Sequence, residues 1–323
     1  MLNRAGVEAA ASLIYRHVPP TPQYAWPLLA RRAQCEVWVK HENHTPIGAF
    51  KVRGGIVYVD TLLRAGARPK GLITATRGNH GQSLAFAGCS VGVPVTVVVP
   101  HGNSLEKNAA MRAFGAELIE HGRDFDEARQ EALRLADSRG LHMVPSFHPE
   151  LVRGVATYAL ELFQAVEHID TLYVPIGLGS GICGAIEVRD LLALRTEIVG
   201  VVSARADAYA QSLEQGKLVT TESADTIADG VACRVPAPEA LDIIRRGAAR
   251  IVRVSDEEIK SAICALHEDT HNTAEGAGAA ALAALLQEQG KEQNRQRNRR
   301  VAVILSGGNI DRGLYGAILA NDA

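Results

Sequence analysis

From residue 71 onward, short apolar runs rich in β-branched residues alternate with longer segments of helical character, and Gly-rich turns join them. The runs at 71–76 and 93–100 are apolar and β-branched with only threonine as a polar residue, and read as buried strands of a parallel sheet. Between them, 80–89 reads as a helix; a second helix at 105–114 stops at Gly115, and a strand follows at 117–120. The amphipathic stretch 124–138 forms a helix ended by Gly140, and Met143-Val144 is a short strand before Pro145. Helix 151–166, strand 171–176, helix 183–194 and strand 197–202 repeat the rhythm. After a strand at 250–254, Ser255-Asp256-Glu257-Glu258 is a capping box that opens a helix reaching about His267. An Ala-rich helix at 275–287, a strand at 300–305 and a helix at 311–319 complete the series. This order predicts an α/β, doubly wound architecture of mainly parallel sheets with helices on both faces. Breaks near Thr45-Pro46 and at 145–149 divide it into a small domain, 46–149, and a large domain built from 1–45 and 150–323.

In such folds ligands sit outside the carboxyl ends of the strands, where the chain turns into a helix. Three Gly-rich turns occupy that position, at 77–81, 177–184 and 306–309. In Gly177-Leu178-Gly179-Ser180-Gly181-Ile182-Cys183-Gly184 the glycines let backbone approach an anion, and the helix behind supplies unpaired N–H groups. Gly179, Gly181 and Gly184 also fit the dinucleotide fingerprint, which requires an acid at the end of the next strand. That strand ends Val201-Val202-Ser203, so a monophosphate fits better than a dinucleotide; a ligand-free tight turn is the plain alternative. Lys51, between Phe50 and Val52, is a candidate amine nucleophile, because apolar burial keeps a lysine partly neutral. On its own such a residue is more often a solvated surface lysine.

Composition narrows the partners. A net charge of −2 gives no footprint for nucleic acid, and no apolar run reaches membrane-spanning length. The basic stretch 287–300 reads as a solvated loop. Five scattered cysteines without a Cys-x-x-Cys pair point away from zinc and disulfides, and with no apolar signal core they suit the cytoplasm.

Taken in order, the motifs resemble the fold-type II pyridoxal-phosphate enzymes, in particular the threonine and serine dehydratases. Phe50-Lys51-Val52-Arg53-Gly54 is similar to their cofactor-lysine motif, and Gly78-Asn79-His80-Gly81-Gln82 to their asparagine loop. The stretch from Gly177 to Gly181 is similar to their phosphate loop, and Ser306-Gly307-Gly308-Asn309 to their last strand turn. Thr226-Ile227-Ala228-Asp229-Gly230 and Glu275-Gly276-Ala277-Gly278-Ala279-Ala280 resemble the dehydratase branch, so the likeness spans about 20 to 315.

The resemblance implies pyridoxal 5′-phosphate held by Lys51 as a Schiff base, with Phe50, Asn79, Gly177, Leu178, Gly179, Ser180, Gly181, Glu275 and Ser306 around it. Thr76, Arg77, Gly78, Asn79 and His80 would then meet the amino-acid substrate, His80 mainly by orienting the asparagine loop. Lys51 and Ser306 are the catalytic candidates, and the neutral Ser306 at the ring nitrogen favours elimination over transamination. The implied reaction removes water from a β-hydroxy amino acid such as threonine or serine, leaving a 2-oxo acid and ammonia. A homodimer is implied as well, and no metal. Arg77 replaces the serine base of racemizing relatives and keeps its proton, which points away from racemization. It either packs locally or binds a second anionic group on the substrate. Val202 stands where cation-activated relatives carry a glutamate, with Asp207 the remaining oxygen ligand candidate. His41-Glu42-Asn43-His44-Thr45-Pro46 and the Arg77 loop look most like a subgroup linked to hydroxyectoine breakdown. A hydroxyectoine-derived amino acid or 3-hydroxyaspartate, a β-replacement synthase, and a nucleotide-binding non-enzyme are the competing readings.

Overall fold

The alternation resolves into two sheets. The computed structural model describes residues 2–290 and 299–321; the centre of the basic 287–300 stretch lies outside them. The chain opens with α1 (Arg4–Ile14), β1 (Gln23–Ala25), α2 (Pro27–Ala33), β2 (Glu36–His41) and α3 (Lys51–Arg64). Next come β3 (Leu72–Ala75), α4 (Asn79–Ser90), β4 (Val95–Val99), α5 (Leu105–Ala113), β5 (Glu117–Glu120), α6 (Phe125–Arg139) and β6 (His142–Met143). Their four strands form a parallel sheet in the order β5-β4-β3-β6. The rest is α7 (Pro149–Ala165), β7 (Thr171–Pro175), α8 (Ser180–Leu191), β8 (Glu197–Ser203), α9 (Ala208–Gln215), α10 (Pro238–Gly247) and β9 (Ala248–Val254). It ends with α11 (Asp256–Thr270), α12 (Gly276–Gly290), β10 (Arg300–Leu305) and α13 (Arg312–Asn321). The second sheet has six strands in the order β1-β2-β10-β7-β8-β9, parallel except for the edge strand β1.

This topology decides where a ligand goes. In the larger sheet the winding runs from β7 through β8 to β9, then resumes on the other side of β7 at β10. The switch point therefore lies between the ends of β7 and β10, which carry the turns at 177 and 306. In the smaller sheet the switch lies between β3 and β6, and β3 leads into the turn at Asn79.

Helix α3 packs closely against α4 and α7. A methyl on Gly54 would lie 2.9 Å from the Leu151 carbonyl oxygen, and one on Gly154 would run into the Arg53 carbonyl. Only glycine permits this approach, which brings the start of α3 between the two sheets. The capping box at Ser255 and Glu258 forms as the sequence predicts and opens α11.

Candidate active site

Lys51 and the three turns converge on one cavity of about 480 Å³, a volume typical of small-molecule sites. Phe50, Lys51, Thr76, Arg77, Gly78, Asn79, His80, Gly177, Leu178, Gly179, Ser180, Gly181, Glu275 and Ser306 all line it.

Lys51 is the first residue of α3, and backbone contacts set its place. Ala49 bridges Gly307, Phe50 N–H donates to the Ser306 carbonyl at 3.1 Å, and Gly308 N–H donates to the Gly48 carbonyl at 2.9 Å. The lysine segment is thereby fastened to the turn after β10. Lys51 Nζ lies 5.1 Å from the Phe50 ring centroid and has no hydrogen bond to a described residue. Burial strips the ammonium of hydration and lowers its pKa to about 8, against the opposing charge of Glu275. A usable fraction of the amine is then neutral near neutral pH.

Gly179 has φ +97°, and a methyl there would lie 2.8 Å from Ala240 Cβ, so the position admits only glycine. The carbonyls of Leu178 and Gly181 accept from Tyr209 Oη at 2.9 Å and Tyr158 Oη at 2.8 Å. With those carbonyls occupied, the loop and the first turn of α8 are left with N–H groups and a positive dipole end for an anion.

Asn79 opens α4. Its Nδ2 donates to Glu275 Oε1 at 2.6 Å, and its Oδ1 accepts from Asn309 Nδ2 at 2.8 Å. Asn309 is itself anchored by donating to the Ile47 carbonyl at 2.7 Å. The amide orientation is therefore set from both ends, with one Nδ2 hydrogen left over. His80 does not supply this orientation. It is buried with Nε2 unpartnered, and burial together with nearby Lys51 pushes its pKa down to about 3. Glu275 and Asn309 orient the amide itself, and His80 Nε2 makes no hydrogen bond to it.

Glu275 is buried, and burial raises its carboxyl pKa while Lys107 pulls it the other way. Its Oε2 lies 3.4 Å from Lys107 Nζ without hydrogen-bond alignment, and Lys107 Nζ donates to Asp229 Oδ2 at 2.6 Å. Arg77 stands exposed at the cavity edge and has no ion pair among the described residues. The other cations of the wall, Lys107 and Arg234, are committed to Asp229 and Asp126. Asp207, the candidate cation ligand, is instead engaged by Arg253 Nε at 2.8 Å.

These features fit pyridoxal phosphate. An unpaired, partly buried amine faces the same cavity as a glycine-lined anion cradle, and two buried polar atoms, His80 Nε2 and Glu275 Oε2, have no hydrogen-bond partner among the described residues. Tyr158, Tyr209 and Lys107 lie outside every sequence motif, and Asp229 belongs to the 226–230 string. Lys107 did leave a signal, since a cation in the first turn of α5 opposes the helix dipole and needs a partner elsewhere.

The family described as pyridoxal-phosphate dependent enzyme matches residues 14–307. The chain is 39% identical to an L-threonine ammonia-lyase of Geobacter sulfurreducens over 284 residues, 85% of this chain and 67% of that protein. It is 32% identical to the catabolic L-threonine dehydratase of Escherichia coli over 302 residues, 93% of this chain and 90% of the other. The processed form of threonine deaminase isoform 2 from Solanum lycopersicum superposes with a TM-score of 0.91 at 28% identity, covering 98% of this chain and 91% of that one. The protein belongs to the fold-type II pyridoxal-phosphate-dependent enzymes and is a lyase of their threonine-dehydratase-like branch.

Proposed function

We propose that the enzyme removes water from L-threonine or L-serine, giving a 2-oxo acid and ammonia. The observation that carries this is the unpaired, largely desolvated Lys51 amine in one cavity with the Gly177–Gly181 cradle. Lys51 would hold the cofactor, the cradle its phosphate and Asn79 its ring oxygen, with Ser306 beside the ring nitrogen. Bound there, pyridoxal phosphate supplies a sink for the electron pair released at the substrate Cα. Lys51 Nζ takes the Cα proton as a general base, for which its depressed pKa suits it. The first-turn N–H groups of α4 receive the substrate carboxylate. Ser306 offers a neutral hydroxyl and fixes no proton opposite it, which favours elimination. The test is release of 2-oxo acid and ammonia in equal amounts from threonine and serine. A holoenzyme that turns over neither, or forms product only with an added thiol, would overturn the proposal.

Arg77 supports a second reading of the substrate. It is the one cation of the cavity wall, among the described residues, that is neither paired nor given to the cofactor. With the α-carboxylate at α4, a free guanidinium suits a second anionic group, as in 3-hydroxyaspartate. Arg77→Ala would then lose activity on 3-hydroxyaspartate far more than on threonine; equal losses would remove this reading. The hydroxyectoine-linked assignment rests on the strings at 41–46 and 76–80, and a keto-acid screen with hydroxyectoine-derived amino acids decides it. We further propose the 46–149 domain division, a homodimer and the cytoplasm as the working setting; all five cysteines are free, which suits a reducing compartment. No described helix is long and apolar enough to cross a membrane.

A further inference from the structure

We propose that Lys107 is the positioning residue that ties the ligand-facing turns of the cavity into one unit, and through them sets how tightly the cofactor is held. The inference rests on the cofactor reading above and concerns a residue outside the lysine, asparagine and phosphate motifs.

Lys107 is buried in the first turn of α5, beside the smaller sheet, and its ammonium reaches residues in the connections between strands of the larger one. Nothing local holds it there, since a helix N-terminus repels a cation. Three contacts connect it to three turns. Its stem fills the space left by Gly78, where a methyl would lie 2.7 Å from Lys107 Cδ, so the asparagine loop rests directly on it. Its Nζ donates to Asp229 Oδ2 at 2.6 Å; the next residue, Gly230, places its carbonyl against Gly177, where a methyl would collide with it. The same Nζ lies 3.4 Å from Glu275 Oε2, while Glu275 Oε1 holds Asn79 Nδ2 at 2.6 Å. Glu275 also abuts the turn after β10, since a methyl on Gly307 would lie 2.5 Å from its Oε1.

One ammonium therefore faces two carboxylates, each of which braces a different part of the cofactor site. Burial works against the charge on Lys107, but Glu275 and Asp229 outweigh it and hold the group protonated well above the ordinary lysine range. Without Lys107, Glu275 and Asp229 face each other uncompensated, which the interior tolerates poorly. Glu275 would then take up a proton and hold the Asn79 amide only through a weaker, neutral acceptor.

The experiment uses apoenzyme of wild type, Lys107→Met and Lys107→Arg, titrated with pyridoxal phosphate and followed by absorbance and visible circular dichroism. Lys107→Met is expected to weaken cofactor affinity about tenfold or more, in line with residues that orient a ligand's own contacts, and to alter the dichroic band. Lys107→Arg restores most of both. In Lys107→Met/Glu275→Gln, the second change costs less affinity than Glu275→Gln does in wild type. If Lys107→Met does not fold, the double variant is compared with Glu275→Gln alone: similar affinities are expected, and a further loss of about tenfold would overturn the inference. Wild-type affinity and dichroism in Lys107→Met, or equal losses in Met and Arg variants, would overturn the inference alone. A wild type that takes up no cofactor would overturn the reading of the site and this inference with it.

Discussion

Two lysines close in the sequence are both withdrawn from bulk solvent, Lys40 fully buried and Lys51 partly buried in the cavity wall, yet their surroundings differ completely. Lys40 Nζ donates to the Thr21 carbonyl at 2.7 Å, to Gln23 Oε1 at 3.1 Å and to Glu161 Oε2 at 2.6 Å. Arg53 shares its cluster, with Nε 2.7 Å from Glu42 Oε2 and Nη1 2.6 Å from Glu161 Oε1. Two cations and two carboxylates balance there, and every donor of Lys40 has an acceptor. Lys51, two residues before Arg53 on the same helix, faces a cavity and has no such partner. Both are largely desolvated, and pairing separates them. The paired lysine is structure, while the unpaired one is left for chemistry. The two regions are also coupled, since Arg53 anchors the first turn of α3 and thereby aims Lys51.

The largest effect should come from removing the unpaired amine. Lys51→Met is expected to lower 2-oxo acid release by about 10³-fold, a general-base loss, with the far-ultraviolet spectrum unchanged. Unfolding of that variant would break the contrast, because it would give Lys51 a structural role. Arg53→Met should behave in the opposite way. It leaves Glu42 and Glu161 short of a partner, and a denaturant titration should show a loss of about 3–5 kcal/mol. A wild-type midpoint would mean that the cluster does not hold the fold.

A third test uses pH on the apoenzyme. The Lys51 pKa falls from 10.5 to about 8 on folding, so between these values the unfolded chain binds the extra proton. Stability attributable to Lys51 must therefore rise with pH through this window, by up to roughly 3 kcal/mol at the upper end. Lys51→Met removes this rise, and the difference between the two proteins below pH 8 should shrink toward pH 10.5. Parallel stability curves would sink the claim of an unpaired buried amine. The smallest effect is expected of Arg77→Ala on threonine turnover, because threonine has no second anionic group; a loss matching that on 3-hydroxyaspartate would make Arg77 a holder of the α-carboxylate.

The paired cluster was also the part hidden from the sequence, for a physical reason. The strand β2 reads Glu36-Val37-Trp38-Val39-Lys40-His41, and its charged end hides a buried strand until partners from α3 and α7 are known. Helix α3 was equally unreadable, since Gly54-Gly55 argues against a helix unless close packing demands it. From residue 71 the alternation was legible to within a few residues. The main shift is at α8, which begins at Ser180, inside the Gly-rich turn, three residues before the expected start at 183. Helices α9 and α10 were not anticipated, short segments lying in a polar stretch. The motif turns were legible because each needs residue types at fixed places. Lys107, Tyr158 and Tyr209 were not, because their roles depend on contacts between distant elements.

The contrast between the lysines can be put to one direct measurement: holoenzyme reduced with borohydride, digested, and mapped by mass spectrometry. The account predicts the cofactor's mass on the peptide containing Lys51, with Lys40 and Lys107 unmodified. Cofactor on either of those lysines, or on none, would contradict it.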